Sequence, residues 1–262
     1  MKKTIKMAAA VLTLVGAFSG MAFATPSTQI WIPSTDIQPF KTLHLNLDTY
    51  IRATGVGSFG DTSVRDANTI MMGPTVGILP FEKIQAEVGF DFLVTGYDNF
   101  DNYPFMGHFK IGTPEDSLFT YSPALAVGMW NIGNSHKANM PSGQNIVYGL
   151  AAKTLPIIGR LSAGGYTGSQ MALVGPANFL GQSSSQNAGV LLSWDRTMTE
   201  ISDKLWLAVD YMGGNNVMGA FSFGAAWAFS KNVSVIAGYD IYNQRTLAGS
   251  NTLTFQVDIN FP

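Results

Sequence analysis

Few side chains in this sequence can do acid–base, nucleophilic or metal chemistry, and their spacing decides what they can do. There are three histidines, His44, His108 and His136, and no cysteine. Thiolate metal centres, covalent c-type haem, cysteine nucleophiles and disulfides are therefore excluded. A serine hydrolase needs a hydroxyl beside a base that a third group orients. His44 and His108 share their faces with Asn46 and Lys110 rather than with a serine, and His136 sits in a polar stretch without a motif. His44 with Asp48 is too generic a pair for a metal centre. Gly213-Gly214 lacks the strand-to-helix setting of a phosphate loop. The expectation is a chain that is not an enzyme, with no catalytic residues, no metal and no cofactor.

The remaining ionisable groups follow a pattern. Asp48, Glu87, Asp91, Asp195, Asp210, Asp240 and Asp258 each occupy a position that alternates with apolar residues, and so do Lys110, Lys153, Arg160 and His108. In a strand, successive side chains point to opposite faces, so such charges share one face while the apolar residues take the other.

Twelve stretches carry this alternation. They run from Leu43 to Arg52, Thr69 to Leu79, Ile84 to Val94, Phe105 to Ile111, Leu125 to Trp130, Ile146 to Lys153, Leu161 to Tyr166, Gly189 to Asp195, Leu205 to Tyr211, Phe221 to Phe229, Val233 to Ile241 and Leu253 to Phe261. Pro74 counts against the second, because a mid-sheet proline forfeits a ladder hydrogen bond. Polar loops at 53–68, 133–143, 168–187 and 243–251 follow odd-numbered strands. Compact turns such as Pro80 to Lys83, Leu155 to Gly159 and Lys231-Asn232 follow even-numbered ones, while Gly213-Gly214-Asn215-Asn216 signals a hairpin.

The N-terminus sets the compartment. Lys2, Lys3 and Lys6, an apolar run from Met7 to Phe18 and the small residues of Ala22-Phe23-Ala24 describe a secretory signal peptide over 1–24. Without those lysines, 12 bases stand against 17 acids, so the exported chain is acidic and is not a nucleic-acid binder. Only 12% of residues are charged, yet Gly reaches 28 and Phe 17. Past the signal no apolar run is long enough for a spanning helix. A closed barrel is the other structure that satisfies its own backbone within a bilayer. The expected fold is all-β: a transmembrane antiparallel up-and-down barrel of about 12 strands, in a range of about 10–14. Residues 25–40 form an irregular periplasmic lead-in, and 41–262 form one barrel domain.

With these strands in place, the chain resembles Gram-negative outer-membrane β-barrels of the porin type. The most specific part is the ending, where Phe255, Val257, Ile259 and Phe261 look like the terminal signal read by the barrel assembly machinery, here followed by Pro262. The resemblance implies insertion in the outer membrane, contact with its lipid, and passive diffusion of small ions or polar solutes. Tyr121, Trp194, Tyr211, Trp227, Tyr239 and Phe261 are candidates for the interfacial aromatic girdles.

The face opposite the apolar one should line a lumen. Its small residues (Gly89, Ala126, Gly128, Gly149, Ala151, Gly164, Ala208, Gly224, Ala226, Gly238) leave space for a narrow aqueous passage. The alternative is that Tyr50, Trp130, Tyr166 and Trp206, or the lead-in, fill it. The seven acids form one wall near the closure, and Lys110, Lys153, Arg160 and His108 an opposing basic wall, an arrangement that orders polar solutes and weakly prefers cations. Pairing of those charges within the wall is the alternative. Two other functions remain open: a structural or surface-interaction barrel, and a barrel-embedded lipid-modifying enzyme.

Overall fold

The computed structural model describes residues 28–53, 67–95, 100–133, 136–137, 140–141, 143–170, 172–177 and 183–262. The expected signal peptide and most of the 53–68 loop lie outside them. Twelve strands close into one antiparallel barrel in chain order. They are β1 (Leu43–Arg52), β2 (Thr69–Gly77), β3 (Gln85–Thr95), β4 (Phe100–Thr113), β5 (Ala124–Gly133), β6 (Ile146–Leu155), β7 (Gly159–Thr167), β8 (Ala188–Thr197), β9 (Leu205–Met212), β10 (Ala220–Ala228), β11 (Val233–Tyr242) and β12 (Thr252–Phe261). Two small hairpins, His136–Lys137 with Met140–Pro141 and Val174–Ala177 with Ser183–Ser185, decorate the loops, and one helical turn, α1 (Arg245–Ala248), precedes β12.

Closure is made by β1 and β12, paired without interruption from Leu43 against Phe261 to Arg52 against Thr252. The barrel wall thus has no free edge strand, and its backbone groups pair along the ladders apart from local irregularities such as that at Pro74. The side chains of Leu43, Leu45, Leu47, Val88, Phe92, Phe109, Val127, Phe223 and Phe255 are exposed on the outer surface. A continuous apolar exterior on a closed antiparallel wall is a surface for hydrocarbon, and the barrel spans a membrane. The girdle candidates Tyr121, Trp227 and Phe261 are exposed on that outer surface.

Pro74 sits within β2. The β2–β3 ladder loses its pairs at Gly73 and Pro74 and resumes in the same register at Thr75. The missing N–H is tolerated because Gly73 lets the Phe90 carbonyl approach where a Cβ would stand.

Inside, the alternative in which the lead-in fills the lumen is the one the structure takes, in place of a periplasmic lead-in. Residues 28–40 are irregular, and 28–38 lie within the barrel. Gln29, Ile30, Ile32 and Gln38 are 0–1% exposed. A tight turn, closed by Gln29 N–H to the Ile32 carbonyl at 2.7 Å and by a Thr28–Pro33 bridge, puts Trp31 at the tip. The chain then returns through Ser34, Asp36 and Gln38 to Phe40, which bridges Gly77 at the start of the wall.

Candidate functional site

The inward faces of the strands hold this segment, which acts as a plug. Asp210 Oδ2 on β9 accepts the backbone N–H groups of Ile30 at 2.7 Å and Trp31 at 2.9 Å. Gln256 on β12 donates to the Ile30 carbonyl at 2.7 Å, and Gln29 donates to Asp195 at 3.0 Å. On the opposite side, Glu87 Oε2 accepts the Gln38 N–H at 2.7 Å, while Lys110 donates to the carbonyls of Ser34 and Asp36. An irregular peptide in a lumen has no sheet partner, so its polar groups need side chains of this kind.

The small inward residues exist for the plug as much as for solvent. A Cβ on Gly238 would stand 2.9 Å from Ile30 Cγ2, and one on Gly224 would stand 3.0 Å from Ile30 Cδ1. Ile30 packs there with Trp206, Ala208, Ala226 and Ile236. Ile32 joins a second cluster with Ile146, Tyr148, Leu150, Tyr166, Leu191 and Met212, covered from the loops by Leu173 and Met218. The β6–β9 side of the lumen is thus packed like a protein core.

The acids expected in the lumen face inward, and several of them pair with a base or hydroxyl on a neighbouring strand. Glu87 and Lys110 are direct cross-strand neighbours on β3 and β4, 3.1 Å apart and 1% and 2% exposed. Asp195 and Arg160 pair across β8 and β7 at 2.9 Å, and Arg160 also reaches Asp36 of the plug at 2.6 Å. His108 lies 3.4 Å from Asp91, and His44 lies 3.3 Å from Asp258. Asp240 accepts from the Thr252 hydroxyl at 2.7 Å, and Asp48 from Asn46 at 3.2 Å. By strand the acids lie on β8, β9, β11, β12, β1 and β3, and His108, Lys110 and Arg160 on β4 and β7, with local pairs formed between neighbouring strands.

Lys153 is not in the lumen. On β6 the residues Ile146, Tyr148, Leu150 and Ala152 are buried inside, which turns Gly149, Ala151 and Lys153 outward. Lys153 pairs with Glu115 at 3.2 Å and Asp116 at 3.1 Å at the barrel's turn end. Both faces of β6 are apolar for most of its length, so alternation alone could not choose between them.

The sequence reading missed one arrangement. Thr75, Gly89 and His108 form a single row across β2, β3 and β4. Because Gly89 has no side chain, His108 Nε2 reaches over β3 to Thr75 Oγ1 at 2.8 Å, while its Nδ1 faces Asp91. Hydroxyl, imidazole and carboxylate stand in the order used by nucleophilic hydrolases. Thr75 is only 3% exposed, however, in a cavity of about 60 Å³. No serine search along one strand could have found it, since the row crosses three.

Open space remains on the β1–β5 side and at both ends. The cavity of about 60 Å³, lined by Asp48, Asp91, Asp258, His44, Trp31, Tyr50 and Trp130, adjoins one of about 200 Å³ toward the loops. A larger cavity of about 900 Å³ opens at the turn end, lined by Asp36, Gln38, Arg160, Asp195 and Trp206. Plug residues line both, Ile30, Trp31 and Pro33 the smallest cavity and Asp36, Gln38 and Pro39 this one, so the plug lies between two chambers.

No protein-family model and no curated sequence matches the chain. Among solved structures, it is similar to an outer membrane channel from Pseudomonas putida F1, with 11% identity and a TM-score of 0.48 over 86% of this chain and 97% of that one. It is also similar to the NanC porin, with 10% identity and a TM-score of 0.45 over 83% and 99%. Outer membrane phospholipase A from Escherichia coli gives 8% identity and 0.43 over 86% and 94%. Channels and an enzyme thus stand side by side among the neighbours, and what this chain has in common with them is a barrel architecture.

Proposed function

We propose that this chain is an outer-membrane, porin-like channel for small ions or polar solutes, kept constricted by its own plug and weakly preferring cations. The observation that carries the reading is the pair of chambers: a closed wall with an apolar exterior encloses cavities lined by charged, aromatic and apolar side chains and reaching toward both ends, with one irregular segment between them. Short turns and both chain ends belong on the periplasmic side of such barrels, which gives the turn-end chamber to the periplasm. Movement of residues 28–40 joins the two chambers. The inward acids Asp48, Glu87, Asp91, Asp195, Asp210, Asp240 and Asp258 outnumber the inward bases Arg52, Lys110, Arg160, His44 and His108, which supports the cation preference.

Purified, refolded protein in planar bilayers tests this. Discrete conductance steps with a reversal potential on the cation side are expected in a potassium chloride gradient; a silent bilayer at all voltages overturns the channel reading. The Thr75–His108–Asp91 row supports a second reading, a lumenal hydrolase, although Thr75 is buried. Incubation with a fluorophosphonate decides it, because covalent capture lost in Thr75→Val would favour the enzyme over the channel.

A further inference from the structure

The two chambers on the loop side differ in chemistry, and together they describe a ligand. The inner one is lined by four carboxylates, Asp48, Glu87, Asp91 and Asp258, by Lys110 beside Glu87, and by the rings of Trp31, Tyr50 and Trp130. These three rings also line the outer cavity of about 200 Å³, whose remaining wall is largely apolar and includes Met71, Leu93, Met106 and Met218. Asp91, one of the lining residues, is 6% exposed; its Oδ2 is turned to His108, and its buried Oδ1 has no hydrogen-bond partner. Such a carboxylate oxygen is costly unless a cation or donor meets it.

Charge balance points the same way. Glu87 is matched by Lys110 at 3.1 Å. Arg52, at the rim of the outer cavity, offsets Asp240 and already lays its guanidinium 5.6 Å from the Tyr242 ring. That leaves three carboxyl groups, Asp48, Asp91 and Asp258, facing two imidazoles, His44 and His108. Aromatic faces beside carboxylates attract organic cations by charge and by the ring quadrupole together. A bare inorganic ion would use the carboxylates and leave the apolar outer cavity without purpose.

We infer that this is a binding site for a small amphipathic amine: its ammonium head sits among Asp48, Asp91 and Asp258 under Trp31 and Tyr50, and its apolar body lies against Met71 and Leu93. The site rests on the channel reading for its biological use, since it stands on the path from the loops to the plug, but not for its chemistry.

Isothermal titration of the full-length refolded barrel in detergent tests it, with benzylamine as probe and benzyl alcohol as its neutral isostere. Benzylamine is expected to bind at least about 10-fold more tightly than benzyl alcohol, and Asp91→Asn to weaken it by about 10-fold. Met71→Lys, which places a tethered ammonium between the two cavities, is expected to abolish it while the heat-modifiable mobility of a folded barrel persists. That variant keeps the test decisive if Asp91→Asn fails to fold. Equal binding of amine and alcohol overturns the proposal, as does full competition by millimolar potassium, which would mark an inorganic cation site. Conductance recorded on the same preparation separates the two readings: amine binding in a silent barrel keeps the site and removes the channel. Conductance without amine binding does the reverse.

Discussion

At the scale of single residues, the interior is governed by what pairs with what across long stretches of chain. Lys110 is 2% exposed and serves Glu87 and two plug carbonyls at once. Lys110→Met strands the Glu87 carboxylate in the lumen and should cost about 3–5 kcal/mol, read as a lowered urea midpoint in lipid vesicles. Glu87→Gln/Lys110→Met should recover most of that loss; a double variant no better than the single one would mean the pair is not the cause. The inward direction of these charges was legible from alternation, as was that of Asp195, Asp210 and Asp258. Their partners were not. Asp210 binds Ile30 and Trp31 from 180 and 179 residues away, and no local pattern encodes such a contact. Lys153 shows the complementary limit, because a strand apolar on both faces gives alternation nothing to choose by.

Among the elements, β12 and the plug depend on one another. The strand closes the wall against β1, presents Leu253, Phe255 and Phe261 outward, and uses Gln256 to hold the Ile30 carbonyl. Deleting Phe261 should slow assembly, seen as loss of the heat-modifiable band after export, and assembly at the wild-type rate would remove its signal role. The plug itself rests on side-chain volumes. In Gly238→Leu the new side chain claims the space of Ile30, so the tip should be displaced and single-channel conductance should rise; unchanged conductance with an intact fold would mean that Ile30 does not limit the path. The strands, their order and most of the inward glycines could be read from the sequence, Gly149 on β6 being the exception because it faces outward. The glycines' purpose could not, since an irregular segment carries no period by which its destination could be inferred.

For the whole molecule, the barrel is two interiors in one wall. The β6–β9 side buries an apolar core around Ile32, Leu191 and Met212, which stiffens the structure without disulfides. The β1–β5 side stays polar and partly open, with chambers on either side of the plug. Even strand number and closure followed from counting alternating stretches, whereas a filled lumen did not, because filling depends on volumes brought together only by closure. Function then turns on whether the plug moves. The chain has no cysteine, so a single engineered bridge can decide it. Ile30 and Gly238 lie close enough for a disulfide, the Gly238 Cβ position being 2.9 Å from Ile30 Cγ2. The measurement is planar-bilayer conductance of Ile30→Cys/Gly238→Cys under oxidising conditions and again after reduction. A plugged channel predicts current that is abolished when the bridge forms and restored when it is reduced; equal current in both states would contradict it.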